Sequence, residues 1–92
     1  MALDKEQQRD LARQARTLKV SVLIGKAGAT DAVIQQVRGA FRHAGLIKVR
    51  FQPAARGEIR AMADALAAFV PCEVVQLIGF VAVLYQADRE AG

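Results

Sequence analysis

The residues best suited to chemistry are Gly25-Lys26-Ala27-Gly28, followed two positions later by Thr30. Two glycines without side chains let the backbone turn sharply and let a ligand approach it closely. The loop sits between a short apolar run, Val20–Ile24, and an amphipathic segment that starts with Thr30. It therefore feeds a helix N-terminus, where unpaired N–H groups and the helix dipole favour an anion. Lys26 adds a mobile positive charge. The chemistry implied is a phosphate cradle built from Gly25, Lys26, Ala27, Gly28 and Thr30. On this reading a carboxylate introduced at Gly28 should occupy the phosphate position. Gly-x-x-Gly also punctuates ordinary tight turns. The Gly-Lys-Ser/Thr ending of a nucleotide-binding P-loop is missing, and so is the third glycine of a dinucleotide fingerprint.

Other chemistries find little footing. Ser21 falls within a strand-like run. His43 falls near a helix C-terminus with no carboxylate placed to orient it. Glu58, Asp64 and Glu73 show no paired-carboxylate spacing. Cys72 follows Pro71 and reads as a small buried hydrophobe. One His and one Cys cannot build a structural zinc site within one chain. No catalytic residue, metal or cofactor is expected, and the chain reads as a non-enzyme.

The charge pattern supports a binding role. The 92 residues carry 13 Lys/Arg and 9 Asp/Glu, with 53% hydrophobic residues. Residues 1–56 hold 11 Lys/Arg against 4 Asp/Glu, a balance of +7, while residues 57–92 hold 2 against 5, a balance of −3. Such segregation implies an electropositive face. Its candidate phosphate contacts are Lys5, Arg9, Arg13, Arg16, Lys19, Lys26, Arg38, Arg42, Lys48 and Arg50. The composition is that of a folded chain, and its length suits one domain over 1–92. The apolar run Val74–Tyr85 is far short of the ~20 residues that span a bilayer. No apolar leader follows Met1, so a cytoplasmic protein without a membrane partner is expected. A monomer is the favoured state.

The elements that must position these residues can be read from periodicity. Asp4 caps a first helix running to about Arg16, with Gln7 as its capping-box partner. Leu11, Ala15 and Leu18 share one face, and Lys5, Arg9, Arg13 and Arg16 run along the opposite side. Val20–Ile24 is a strand. Thr30 caps a second helix whose apolar stripe is Val33, Ile34, Val37, Ala40, Phe41 and Ala44, and Gly45 stops it. Ile47–Gln52 alternates strictly, with Ile47, Val49 and Phe51 on a covered face and Lys48, Arg50 and Gln52 on a wet one. A linker-like stretch, Gln52–Gly57, leads to a third helix from about Arg56 to Phe69. Its inner face is Ile59, Met62, Ala63, Leu66 and Val70. Glu73–Ile78 and Val81–Tyr85 form a hairpin about Gly79-Phe80. The order is αβαβαββ: three helices and a four-stranded mixed sheet, an α/β (α+β) two-layer sandwich. The first two strands should be parallel, and the strand order stays open.

These residues carry a resemblance. The run Leu18–Gly28 with Thr30, the stretch Leu46–Arg50, and the ending Leu77-Ile78-Gly79 with Val83-Leu84-Tyr85 resemble the CRM domain family over nearly the whole chain. The free-standing bacterial YhbY-type members are the most similar. The resemblance implies an RNA-binding domain, related in fold to the C-terminal domain of a bacterial translation initiation factor. It also implies association with ribosomal RNA of large-subunit precursors, hence with pre-ribosomal particles. The family's RNA surface is placed at the Gly-x-x-Gly loop and adjacent basic residues, here Gly25 to Gly28. Two features depart from many relatives: Phe80 follows the hairpin glycine, and the tail Gln86–Gly92 is net acidic. Phe80 could stack on a base or pack on a neighbour. Two other functions fit the residues: an assembly adaptor binding proteins through the apolar C-terminal half, and a receptor for a small anionic metabolite at the loop.

Overall fold

A computed structural model describes residues 3–52 and 56–86, with backbone only at 56 and 57. Residues 53–55 of the expected Gln52–Gly57 linker and the tail from residue 87 lie outside the described residues, and Arg56 and Gly57 already belong to a helix. The elements are α1 (Lys5–Ala15), β1 (Val22–Ile24), α2 (Asp31–His43), β2 (Leu46–Phe51), α3 (Arg56–Phe69), β3 (Glu73–Ile78) and β4 (Val81–Tyr85). The αβαβαββ order and the mixed four-stranded sheet are as expected.

The sheet order is β1-β2-β4-β3. β1 runs parallel to β2, and β4 runs antiparallel to both β2 and β3. The hairpin thus inserts its second strand beside β2 and leaves β3 at the edge. Gly79 opens the hairpin turn at φ +56° and Phe80 is not left-handed, the arrangement of a type II′ turn with glycine first.

Alternation along the strands sorts side chains to two faces. Ile47, Val49 and Phe51 of β2 and Ala82 and Leu84 of β4 meet Val37 and Phe41 of α2 and Ile59, Ala63 and Leu66 of α3 in the main core. Burying each of the large apolar side chains in that core contributes about 1.5–3 kcal/mol. A smaller cluster occupies the other face, where Ala15, with Leu11 and Ala12 packed beside it, covers Val75 and Val83. So α2 and α3 form one layer on the sheet, and α1 lies across part of the opposite face. Val75 is the extra residue of a bulge in β3, and its carbonyl accepts a hydrogen bond from the Gln8 side-chain amide at 2.8 Å. That bond docks α1 on the sheet.

Three boundaries differ from expectation. β2 spans Leu46–Phe51 rather than Ile47–Gln52, and β1 starts at Val22 rather than Val20. Val20 and Ser21 are exposed beyond the ladder, although the Ser21 N–H still donates to the Lys48 carbonyl at 2.8 Å. The second helix ends without a left-handed glycine: Ala44 turns extended (φ −151°, ψ 143°) and leads directly into β2, while Gly45 is not at positive φ. The capping box at Asp4 and Gln7 and the Thr30 cap form as read.

Candidate nucleic-acid interface

The Gly25–Gly28 segment is a closed turn, with the Gly28 N–H donating to the Gly25 carbonyl at 3.0 Å. Lys26 and Ala27 are its two central residues and both are exposed. The Thr30 N–H turns back to the Gly28 carbonyl at 2.9 Å, and the Thr30 hydroxyl accepts from the Val33 N–H at 3.3 Å. The amides of Gly28 and Thr30 are therefore used within the chain, which narrows the expected phosphate cradle to the amides that these bonds leave free. The first-turn amides of Asp31 and Ala32 lack intrahelical acceptors, as at any helix start. The exposed Asp31 carboxylate stabilises that helix end, yet also opposes an incoming phosphate there.

The two glycines have different roles. Gly28 is buried and left-handed, with φ +73°; a Cβ there would lie 3.3 Å from the Met62 Sδ of α3. Gly25 has no atom within 4 Å of a Cβ position and no positive φ. A carboxylate at Gly28 would thus be driven toward Met62 in a strained backbone, not displayed to a phosphate. Gly25 is the position that tolerates such a charge. Met62, read from the sequence only as inner-face packing, is the side chain that seats the loop.

The cations divide between the two sides of the sheet. Arg50 pairs in register with Leu23, two residues before the loop, and projects with Lys48 from the face opposite α2 and α3. Lys48 is half-buried and Arg50 exposed. Lys5, Arg9, Arg13 and Arg16 are exposed on α1, which lies on that same face, and Lys19 is exposed between α1 and β1. Arg13 makes an exposed pair with Asp10 at 3.5 Å, a contact of little energetic weight. Arg38 and Arg42 project from α2, in the other layer. The Arg38 guanidinium donates to the Phe69 carbonyl at 3.3 Å, and Arg42 lies roughly 18 Å along the helix from its N-cap at 1.5 Å per residue. The structure thus puts Lys48, Arg50 and the α1 cations on one face of the sheet, Lys26 on the turn that follows β1, and Arg38 and Arg42 in the other layer.

Sequence reasoning missed two further residues. Arg60 of α3 joins Lys5 and Arg9 around a groove of about 510 Å³ along Val74–Leu77, and is partly paired with Asp64 at 3.5 Å. Its sequence neighbourhood, acidic overall, gave no hint of this. Gln8 had no signal at all, since its partner Val75 is 67 residues away.

Phe80 is half-buried and packs against the main core. Burial pushes the Cys72 thiol up from 9.0 to about 11, with Glu73 beside it adding to the shift; this disfavours a reactive thiolate. Among the described residues, no helix is long and apolar enough to cross a membrane.

Comparison with known proteins matches this architecture to one family. The chain is 33% identical over 88 residues to a protein of Pseudomonas aeruginosa named "Probable RNA-binding protein", covering 96% of this chain and 85% of the relative. It is 32% identical over 89 residues to a Haemophilus influenzae protein named "RNA-binding protein", covering 97% and 90% respectively. The solution structure of a hypothetical protein from Staphylococcus aureus superposes with a TM-score of 0.85 at 27% identity, over 99% of this chain and 95% of that one. The model of the CRS1 / YhbY (CRM) domain matches residues 3–86, and the chain belongs to that family.

Proposed function

We propose that this protein binds RNA without catalysing a reaction, and that its RNA is ribosomal RNA in precursors of the large subunit. The observation that carries the reading is that Lys48, Arg50 and the α1 cations share one face of the sheet, while Lys26 is exposed on the turn that joins β1 to a helix start. Phosphates are held by these cations, with Lys26 and the exposed turn at Gly25 bringing one phosphate close to the backbone. The names of the relatives support RNA as the ligand; the large-subunit assignment comes from the family resemblance. Few aromatic side chains are available, so recognition rests on phosphates and shape more than on base identity.

Salt tests the mechanism. For single-stranded or looped RNA the logarithm of affinity falls with the logarithm of salt at about −0.7 per phosphate contacted. With about half of the candidate cations engaged, the slope should correspond to roughly 4–6 phosphates. A titration with almost no slope refutes the electrostatic mechanism. Crosslinking in cells followed by sequencing of the attached fragments tests the ribosomal assignment. Fragments drawn mainly from RNAs other than large-subunit ribosomal RNA refute it.

A further inference from the structure

The open part of the sheet carries a row in which three apolar side chains, unused by a loop-and-cation interface, stand in line with Arg50. Leu23, Arg50, Val81 and Ile78 are successive register partners across all four strands. They project from the face that α1 covers only farther along. Leu23 is 68% exposed and Ile78 61%, while Val81 is half-buried and Arg50 exposed. At about 4.8 Å between strands the row spans roughly 14 Å. The adjacent row is Lys48, Val83 and Gln76, so neither row contains an acid. Lys5 and Arg9 of α1 border the same area along Val75–Leu77.

A partner for this surface must satisfy two demands at once. It must offer apolar area to Leu23, Val81 and Ile78, and negative charge to Arg50 and Lys48 between and beside them. An unpaired stretch of RNA does both, since its bases present flat apolar faces and its phosphates flank them. A duplex does not, because its base faces are stacked inside. We infer that the Leu23–Arg50–Val81–Ile78 row is a base-contacting platform for a single-stranded segment of the bound RNA; this rests on the RNA reading above. Aliphatic side chains touch base faces without reading hydrogen-bond edges, so the platform tolerates any sequence.

The test compares a short oligouridylate with an abasic ribose-phosphate strand of the same length, by fluorescence anisotropy over a range of salt. The wild-type protein should bind the oligouridylate about tenfold more tightly, the scale set by removing about 50–60 Å² of apolar surface from water. The double variant Leu23→Thr, Ile78→Thr should lose that preference while keeping the salt slope, because no cation is removed. Threonine keeps strand preference at both sites, and a melting curve checks the fold. Equal binding of the two strands by the wild-type protein overturns the platform and leaves RNA binding intact; this comparison needs no variant. A folded double variant with full base preference also overturns it. So does one that keeps that preference yet no longer cosediments with ribosomal particles, since the row would then be a protein contact. Failure of the wild-type protein to bind either strand at low salt refutes the RNA reading itself.

Discussion

Gly28→Ala and Gly25→Ala should have opposite effects on folding, although the two glycines frame one four-residue turn. At Gly28 the backbone sits at φ +73°, a region that costs an L side chain about 1–2 kcal/mol. The new Cβ would also stand 3.3 Å from the Met62 Sδ and 3.6 Å from its Cγ. A thioether on a flexible stem can yield by a few tenths of an ångström, so this contact adds little to the backbone term. A loss of about 1.5 kcal/mol lowers the melting temperature of a domain this size by roughly 6–12 °C. Gly25 has neither obstacle. Alanine there removes freedom from the unfolded chain, and melting should stay level or rise by a few degrees, since such changes contribute about 0.4–1 kcal/mol. Thermal unfolding followed by circular dichroism reads both. RNA affinity should then be compared at a temperature where each variant is fully folded. If the two variants melt together, the account of Gly28 as the strained, Met62-seated residue is wrong.

Gly25→Asp should weaken RNA binding more than Lys26→Ala, since it adds a repulsive anion beside the exposed turn while the other change removes one cation; both should melt near wild type. Equal, negligible effects on affinity would mean that the turn only connects β1 to α2. Gln8→Ala should cost about 1 kcal/mol in denaturant unfolding, because it leaves the Val75 bulge carbonyl without its side-chain donor; an unchanged midpoint would show that water replaces that bond fully. Cys72 should react slowly with iodoacetamide at pH 8 in the folded protein and rapidly once denatured. Because its pKa rises from 9.0 to about 11 on folding, the folded state holds the proton longer than the unfolded state. Its contribution to stability is therefore complete below pH 9 and fades as pH climbs through 11; fast alkylation of the folded protein at pH 8 would contradict the burial.

The seven elements were legible because each is written in a local period. The three-and-four spacing of Val33, Ile34, Val37 and Phe41, the strict alternation of Ile47 to Gln52, and the caps Asp4 and Thr30 all act within a few residues. The segregation of positive charge into the first 56 residues was legible for the same reason. Strand order was not, because register between β2 and β4 depends on side chains more than 30 positions apart, and no local rule sends the hairpin's second strand inward. The place of α1 was hidden too: its apolar face could have met either side of the sheet, and the choice is made by Ala15 packing near Val83 and by Gln8 finding the carbonyl of a bulge. The same distance dependence divides the candidate site. That Gly25 and Gly28 form a turn before a helix follows from their types. That Gly28 is held against Met62 while Gly25 faces open space, that Arg50 stands beside Leu23 while Arg38 and Arg42 fall in the other layer, and that Leu23 and Ile78 share one exposed row are consequences of strand pairing and layer packing, which act between segments that sequence spacing alone leaves unrelated.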